Sequence, residues 1–95
     1  YLLRVEQLYP FPARSLVNEL ERFPNAEIVW CQEEPRNMGA WQFVEPNLRW
    51  VMEHVGLKQI HPGYAGRAAS ASTATGLASK HAQEQQSLVN EALAP

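Results

Sequence analysis

The sequence predicts an α/β fold, a small and mainly parallel sheet with flanking helices. Short apolar runs rich in strand formers alternate with runs whose apolar residues recur at helical spacing. Prolines and glycines punctuate nearly every junction between them. The 95 residues are 45% apolar and include three Trp, three Tyr and three Phe, enough to order one core and too few for more than one domain.

Taken in order, Leu2-Leu3-Arg4-Val5-Glu6-Gln7-Leu8 reads as a buried strand, closed by Tyr9-Pro10-Phe11-Pro12 because proline cannot donate to a ladder. Pro12 suits a first helical turn, and Leu16, Val17, Leu20 and Phe23 share one helical face until Pro24-Asn25. Residues 27–34 form a second strand, apolar at its centre (Ile28-Val29-Trp30-Cys31) and expected to be buried on both faces. Asn37 can cap a second helix with Trp41, Val44, Leu48, Val51, Met52 and Val55 inward and Gly56 as its stop. Pro46 either kinks that helix or begins its main segment. Residues 57–64 are a weaker third strand. Thirteen of the fifteen residues 65–79 are Ala, Gly, Ser or Thr, a loop or linker composition, and a final helix at about 79–94 buries Leu88, Val89, Ala92 and Leu93. Residues 1–95 read as part of one α/β domain. A parallel strand starting at residue 2 wants neighbours, so the chain reads as part of something larger, N-terminally incomplete.

Composition excludes several functions. Eight basic residues against ten acidic ones give a net charge of −2, and the basic residues are scattered singly, so neither nucleic acid nor an anionic membrane is an expected partner. No apolar stretch approaches the roughly 20 residues of a membrane span, and no leader pattern opens the chain. The single cysteine, Cys31, reads as a core thiol in a reducing compartment. All ten acids are Glu, which removes the commonest Mg²⁺ ligand and the usual partner of a catalytic histidine.

The candidate chemistry is correspondingly thin. Cys31, His54, His61 and His81 lack metal-ligand spacing. Glu33 and Glu34 are adjacent on a strand and point to opposite faces, which forbids a dyad. Gly63-Tyr64-Ala65-Gly66 lacks the basic neighbours of a nucleic-acid clamp, and Gly76 opens no phosphate loop. Arg67 is the one charge in the small-residue stretch, beside Ser70, Ser72, Thr73 and Thr75. A guanidinium among hydroxyls suits a phosphate or carboxylate ligand, and equally suits a salt bridge that pins the loop.

Three ordered blocks narrow the reading. They are Arg4-Val5-Glu6-Gln7-Leu8-Tyr9-Pro10-Phe11-Pro12; Trp30-Cys31-Gln32-Glu33-Glu34-Pro35-Arg36-Asn37-Met38-Gly39-Ala40-Trp41; and Tyr64-Ala65-Gly66-Arg67 leading into Ala69-Ser70-Ala71-Ser72 and Thr75-Gly76. Together with the closing His81–Leu93 segment, they resemble the C-terminal region of the thiamine-diphosphate-dependent decarboxylating component of the 2-oxoglutarate dehydrogenase complex. Ala68 and Thr73 stand where that family commonly has proline.

The resemblance implies a transketolase C-terminal-like domain of a much longer, dimeric oxidoreductase of the tricarboxylic acid cycle. That enzyme uses thiamine diphosphate and Mg²⁺ held in other domains, and passes a succinyl group to the dihydrolipoyl succinyltransferase core of a multienzyme complex, in bacterial cytoplasm or mitochondrial matrix. The segment itself is then expected to be inactive, with no catalytic, cofactor-binding or metal residue. Its duty is structural and assembly work against the rest of the enzyme and its dimer mate. The alternative is a regulatory module taking a nucleotide or acyl-CoA effector through Arg67, Ser70 and Ser72, with Arg36 and Asn37 as further effector or interface candidates.

Overall fold

The computed structural model describes residues 1–69 and 78–93. Its elements are α1 (Ala13–Leu20), β1 (Val29–Pro35), α2 (Trp41–Val55), β2 (Gly63–Arg67) and α3 (Ala78–Leu93). The strands β1 and β2 pair in parallel, with Val29 opposite Gly63, Trp30 opposite Tyr64, Cys31 opposite Ala65 and Pro35 opposite Arg67. The predicted α/β alternation and parallel pairing are present. The ladder is irregular between Cys31 and Pro35, where two more residues separate the register on β1 than on β2.

The expected first strand is absent. Residues 2–8 form no ladder, and Leu2 and Leu3 are 81% and 48% exposed. A strand exists only where a neighbour satisfies its backbone groups, and no described residue supplies one. Tyr1 is instead tied to α1 and the turn after it. Its hydroxyl donates to Glu19 Oε1 at 2.7 Å and its ring lies 4.7 Å from that of Phe23.

The core lies between β1 and the helix pair α1–α2. Val17, Leu20 and Val51 form one buried cluster, and Val44, Leu48 and Met52 a second, with Phe11, Leu16 and Ile28 packed against both and Trp30 against the second. The inward face of α2 is therefore the one its 3.6-residue period predicts. Its start is not. Asn37 lies in the preceding turn, while Ala40 occupies the cap position without a side-chain cap and accepts the amides of Phe43 and Val44 at 3.0 and 2.8 Å. Pro46 sits inside the continuous helix. It removes the bond to the Gln42 carbonyl, but both residues are on the exposed face, where water can take that carbonyl. Gly56 ends α2 in the left-handed conformation (φ 85°), as its sequence position predicts.

Residues of β1 alternate in burial, contrary to the expected burial on both faces. Gln32 and Pro35 are buried, whereas Val29, Cys31 and Glu33 are exposed. The inward face meets the apolar helix pair; the outward face meets α3, which covers it only in part. Of the four apolar residues expected inward on α3, Leu88 is 3% exposed, Ala92 is half-buried, and Val89 and Leu93 are exposed at 36% and 61%. The strand β2 reaches through Arg67, into the span expected as loop, and most of the remainder of that span (70–77) lies outside the described residues.

Candidate functional site

Polar chemistry concentrates at the C-terminal ends of β1 and β2. Strand alternation sends Arg67 to the α3 side, and its side chain is only 9% exposed. Its Nε donates to Glu84 Oε2 at 3.1 Å, its Nη2 to Gln85 Oε1 at 3.3 Å, and its Nη1 to the backbone oxygen of Glu33. Gln85 closes the circuit by donating to Glu33 Oε1 at 3.3 Å. One guanidinium thus joins the ends of both strands to the middle of α3, using the planar fork that a lysine lacks.

On the other face, Gln32 is the buried polar centre, 8% exposed. Its Oε1 accepts from Trp30 Nε1 at 2.9 Å, and its Nε2 lies 3.1, 3.0 and 2.9 Å from the backbone oxygens of Glu34, Pro35 and Met38. The Tyr64 hydroxyl is shared between the Arg67 and Glu34 backbone oxygens at 3.1 and 3.3 Å. Desolvation pushes the Tyr64 pKa up, against lowering contributions from Gln32 and Arg36. Gly66 makes this possible: a Cβ there would stand 2.7 Å from Tyr64 Cζ and 3.0 Å from the Gln32 backbone oxygen. This network fixes the turn of residues 36–40.

The residues singled out in sequence separate. Arg36 lays its guanidinium over the Tyr64 ring at 4.4 Å, with Trp41 5.0 Å from that ring on the α2 side, whereas Arg67 points to α3. Asn37 is exposed in the next turn. Ser70 and Ser72 lie outside the described residues. Gln32, Tyr64 and the Glu84-Gln85 pair carry the polar network and were not candidate site residues. Gln32 left a sequence signal, an amide within a strand expected to be buried.

The Cys31 thiol is raised above its ordinary pKa by desolvation, then by Glu91 and Glu33, which disfavours the nucleophilic thiolate. His54 stacks on Trp50 at 4.9 Å, and His61 Nδ1 is 3.6 Å from Glu45. Among the described residues no cluster of three His, Cys, Asp or Glu could hold a metal ion, and none of their helices is long and apolar enough to cross a membrane. An apolar groove of about 430 Å³ between the N-terminal segment and α2 is lined by Leu8, Tyr9, Gly39, Ala40 and Phe43, with Glu34 the one charged group. It offers no paired acid and base.

Comparison with known proteins completes the picture. Residues 1–93 match the family described as 2-oxoglutarate dehydrogenase C-terminal. Proteins named 2-oxoglutarate dehydrogenase E1 component from Brucella anthropi, Brucella ovis and Brucella canis are each 60% identical to it over 93 residues. These alignments cover 98% of this chain and 9% of each relative, so the chain spans about a tenth of their length. A match along nearly every residue, through both strand ends and the Arg67 cluster, places the chain in the 2-oxoglutarate dehydrogenase C-terminal family.

Proposed function

We propose that this chain is the C-terminal structural and assembly domain of a 2-oxoglutarate dehydrogenase of the succinyl-transferring type, and that it contributes no catalytic group. The observation that carries this reading is the 60% identity over 93 residues to E1 components of that name. In the intact enzyme, 2-oxoglutarate would be decarboxylated with thiamine diphosphate and Mg²⁺, and the succinyl group handed to a dihydrolipoyl succinyltransferase core within the tricarboxylic acid cycle. The residues of this segment do not fit the cofactor: it has no Asp, and its described residues cluster no metal ligands. The cofactor then belongs to other domains, across a dimer of a transketolase-like enzyme. The bacterial relatives support a cytoplasmic setting.

Arg67 serves this reading as a structural tie. Of the two uses open to it, an anion ligand or a salt bridge, its bonds to Glu84, Gln85 and the Glu33 carbonyl support the second. Arg36 and Asn37 are proposed as interface residues on the turn that Gln32 holds. The test is the intact polypeptide carrying this sequence, assayed for 2-oxoglutarate-dependent reduction of an artificial electron acceptor with thiamine diphosphate and Mg²⁺ present. Turnover with 2-oxoglutarate in preference to pyruvate is expected. Absence of turnover in a folded, cofactor-loaded protein would overturn the reading.

A further inference from the structure

We infer that α3 is a strap, held on the outer face of the β1–β2 sheet by the Arg67 latch and able to lift from it as a unit while the α1–α2 core stays folded. Side-chain chemistry differs sharply between the helices. Four residues of α2 are buried, all apolar. From residue 83 onward α3 buries Leu88 alone, leaves Val89 and Leu93 exposed, and spends Gln86 and Asn90 on a surface hydrogen bond to each other at 2.9 Å. Beyond Leu88, the half-buried Ala92 and the edge of Val89, its hold on the sheet among the described side chains is polar. Glu84 and Gln85 meet Arg67, and Gln85 also meets Glu33.

Such a hold can act as a latch because of where its charges lie. Arg67 is nearly enclosed, whereas Glu84 is 31% exposed, so lifting α3 returns the carboxylate to water readily and leaves the guanidinium on the Glu33 carbonyl at the sheet surface. Beneath the strap the strand surface is Val29, Cys31, Glu33 and Ala65, of which only Ala65 is fully buried and Val29 is already 37% exposed. Uncovering that face exposes few large apolar groups, so among the described side chains opposition to release centres on Leu88, the small Ala65 and Ala92, and the latch. Elements with few buried apolar contacts are those that open below the global unfolding free energy.

Amide hydrogen exchange in the intact polypeptide tests this, comparing peptides from residues 83–93 with peptides from 44–55. Activity is not read, so failure here is distinct from failure of the proposed function. Arg67→Met should speed exchange in 83–93 by on the order of tenfold or more and leave 44–55 at the wild-type rate. Glu84→Gln keeps one acceptor oxygen and should speed it less. The double variant should match Arg67→Met alone, because the first substitution already opens the latch. Wild-type rates in both single variants would overturn the strap, and so would additive effects, which would mean independent holds on α3. Parallel acceleration in 44–55 would also overturn it, since α3 would then be part of the core's cooperative unit.

Discussion

The two faces of the β1–β2 sheet are built on opposite principles. Inward, Val44, Leu48, Val51 and Met52 of α2 are nearly inaccessible and meet Val17 and Leu20 of α1, so shape and apolar area hold the helices. Outward, among the described side chains, Leu88, the half-buried Ala92 and an arginine-centred cluster hold α3. An apolar face resists any opening that admits water. A polar face is specific in geometry, and its groups find substitutes in solvent once separated.

The difference can be broken from the inside first. Met52→Ala removes a fully buried side chain from the second cluster and should cost about 2–5 kcal/mol of domain stability in denaturant unfolding. A cost below that of Val89→Ala on the outer helix would reverse the ranking of the faces. Gln32→Leu should come next, at about 1–3 kcal/mol, because the indole N–H of Trp30 and three backbone oxygens lose their partner together; the same unfolding experiment reads it. Gly66→Ala should displace the Tyr64 ring, cost about 1–3 kcal/mol, and change the Tyr64 fluorescence or ring NMR shifts.

The smallest effects belong to solvent. Arg49→Ala removes an exposed bridge to Glu45 of 3.7 Å and should change stability by less than about 1 kcal/mol. At Cys31 the readout is chemical. With its pKa raised by desolvation first and by Glu91 and Glu33 after it, iodoacetamide at pH 8 should alkylate the folded thiol more slowly than the unfolded one. The two rates should converge as pH rises past the folded pKa and both thiols ionise. Glu91→Gln should quicken the reaction below that pH, and an unchanged rate would remove the carboxylate from the cause.

Much of the inward face was legible in sequence because periodicity encodes it: the buried residues of α2 and the stop at Gly56 are where spacing put them. Strand 2–8 failed because an apolar run states a preference for burial and says nothing of whether a partner strand is present. Cys31 failed for a related reason, since strand burial depends on what covers each face and α3 covers its side in part. The candidate site was less legible still. Arg67 stood out as a lone charge, but Glu84 and Gln85, distant in sequence, looked like ordinary polar residues on a helix. The role of Gln32 depends on turn carbonyls that no side-chain pattern announces.

The entry to β2 carries one further lesson. Gln59 presents its amide edge to Ile28, accepting that residue's N–H at 2.8 Å and donating to its carbonyl at 2.9 Å, while also donating to the His61 carbonyl at 2.8 Å. The amide of Gly63 reaches the same Ile28 carbonyl at 2.9 Å. A side chain thus stands in for a strand residue just ahead of β2, and splints the strand to one alignment before its own backbone begins to pair. A slip of β2 by two residues would preserve which face each side chain meets, the usual discriminator of register, yet it would strand both ends of this amide. The first register of the sheet, from Val29 with Gly63 to Cys31 with Ala65, is therefore reinforced by a side chain that lies outside both strands.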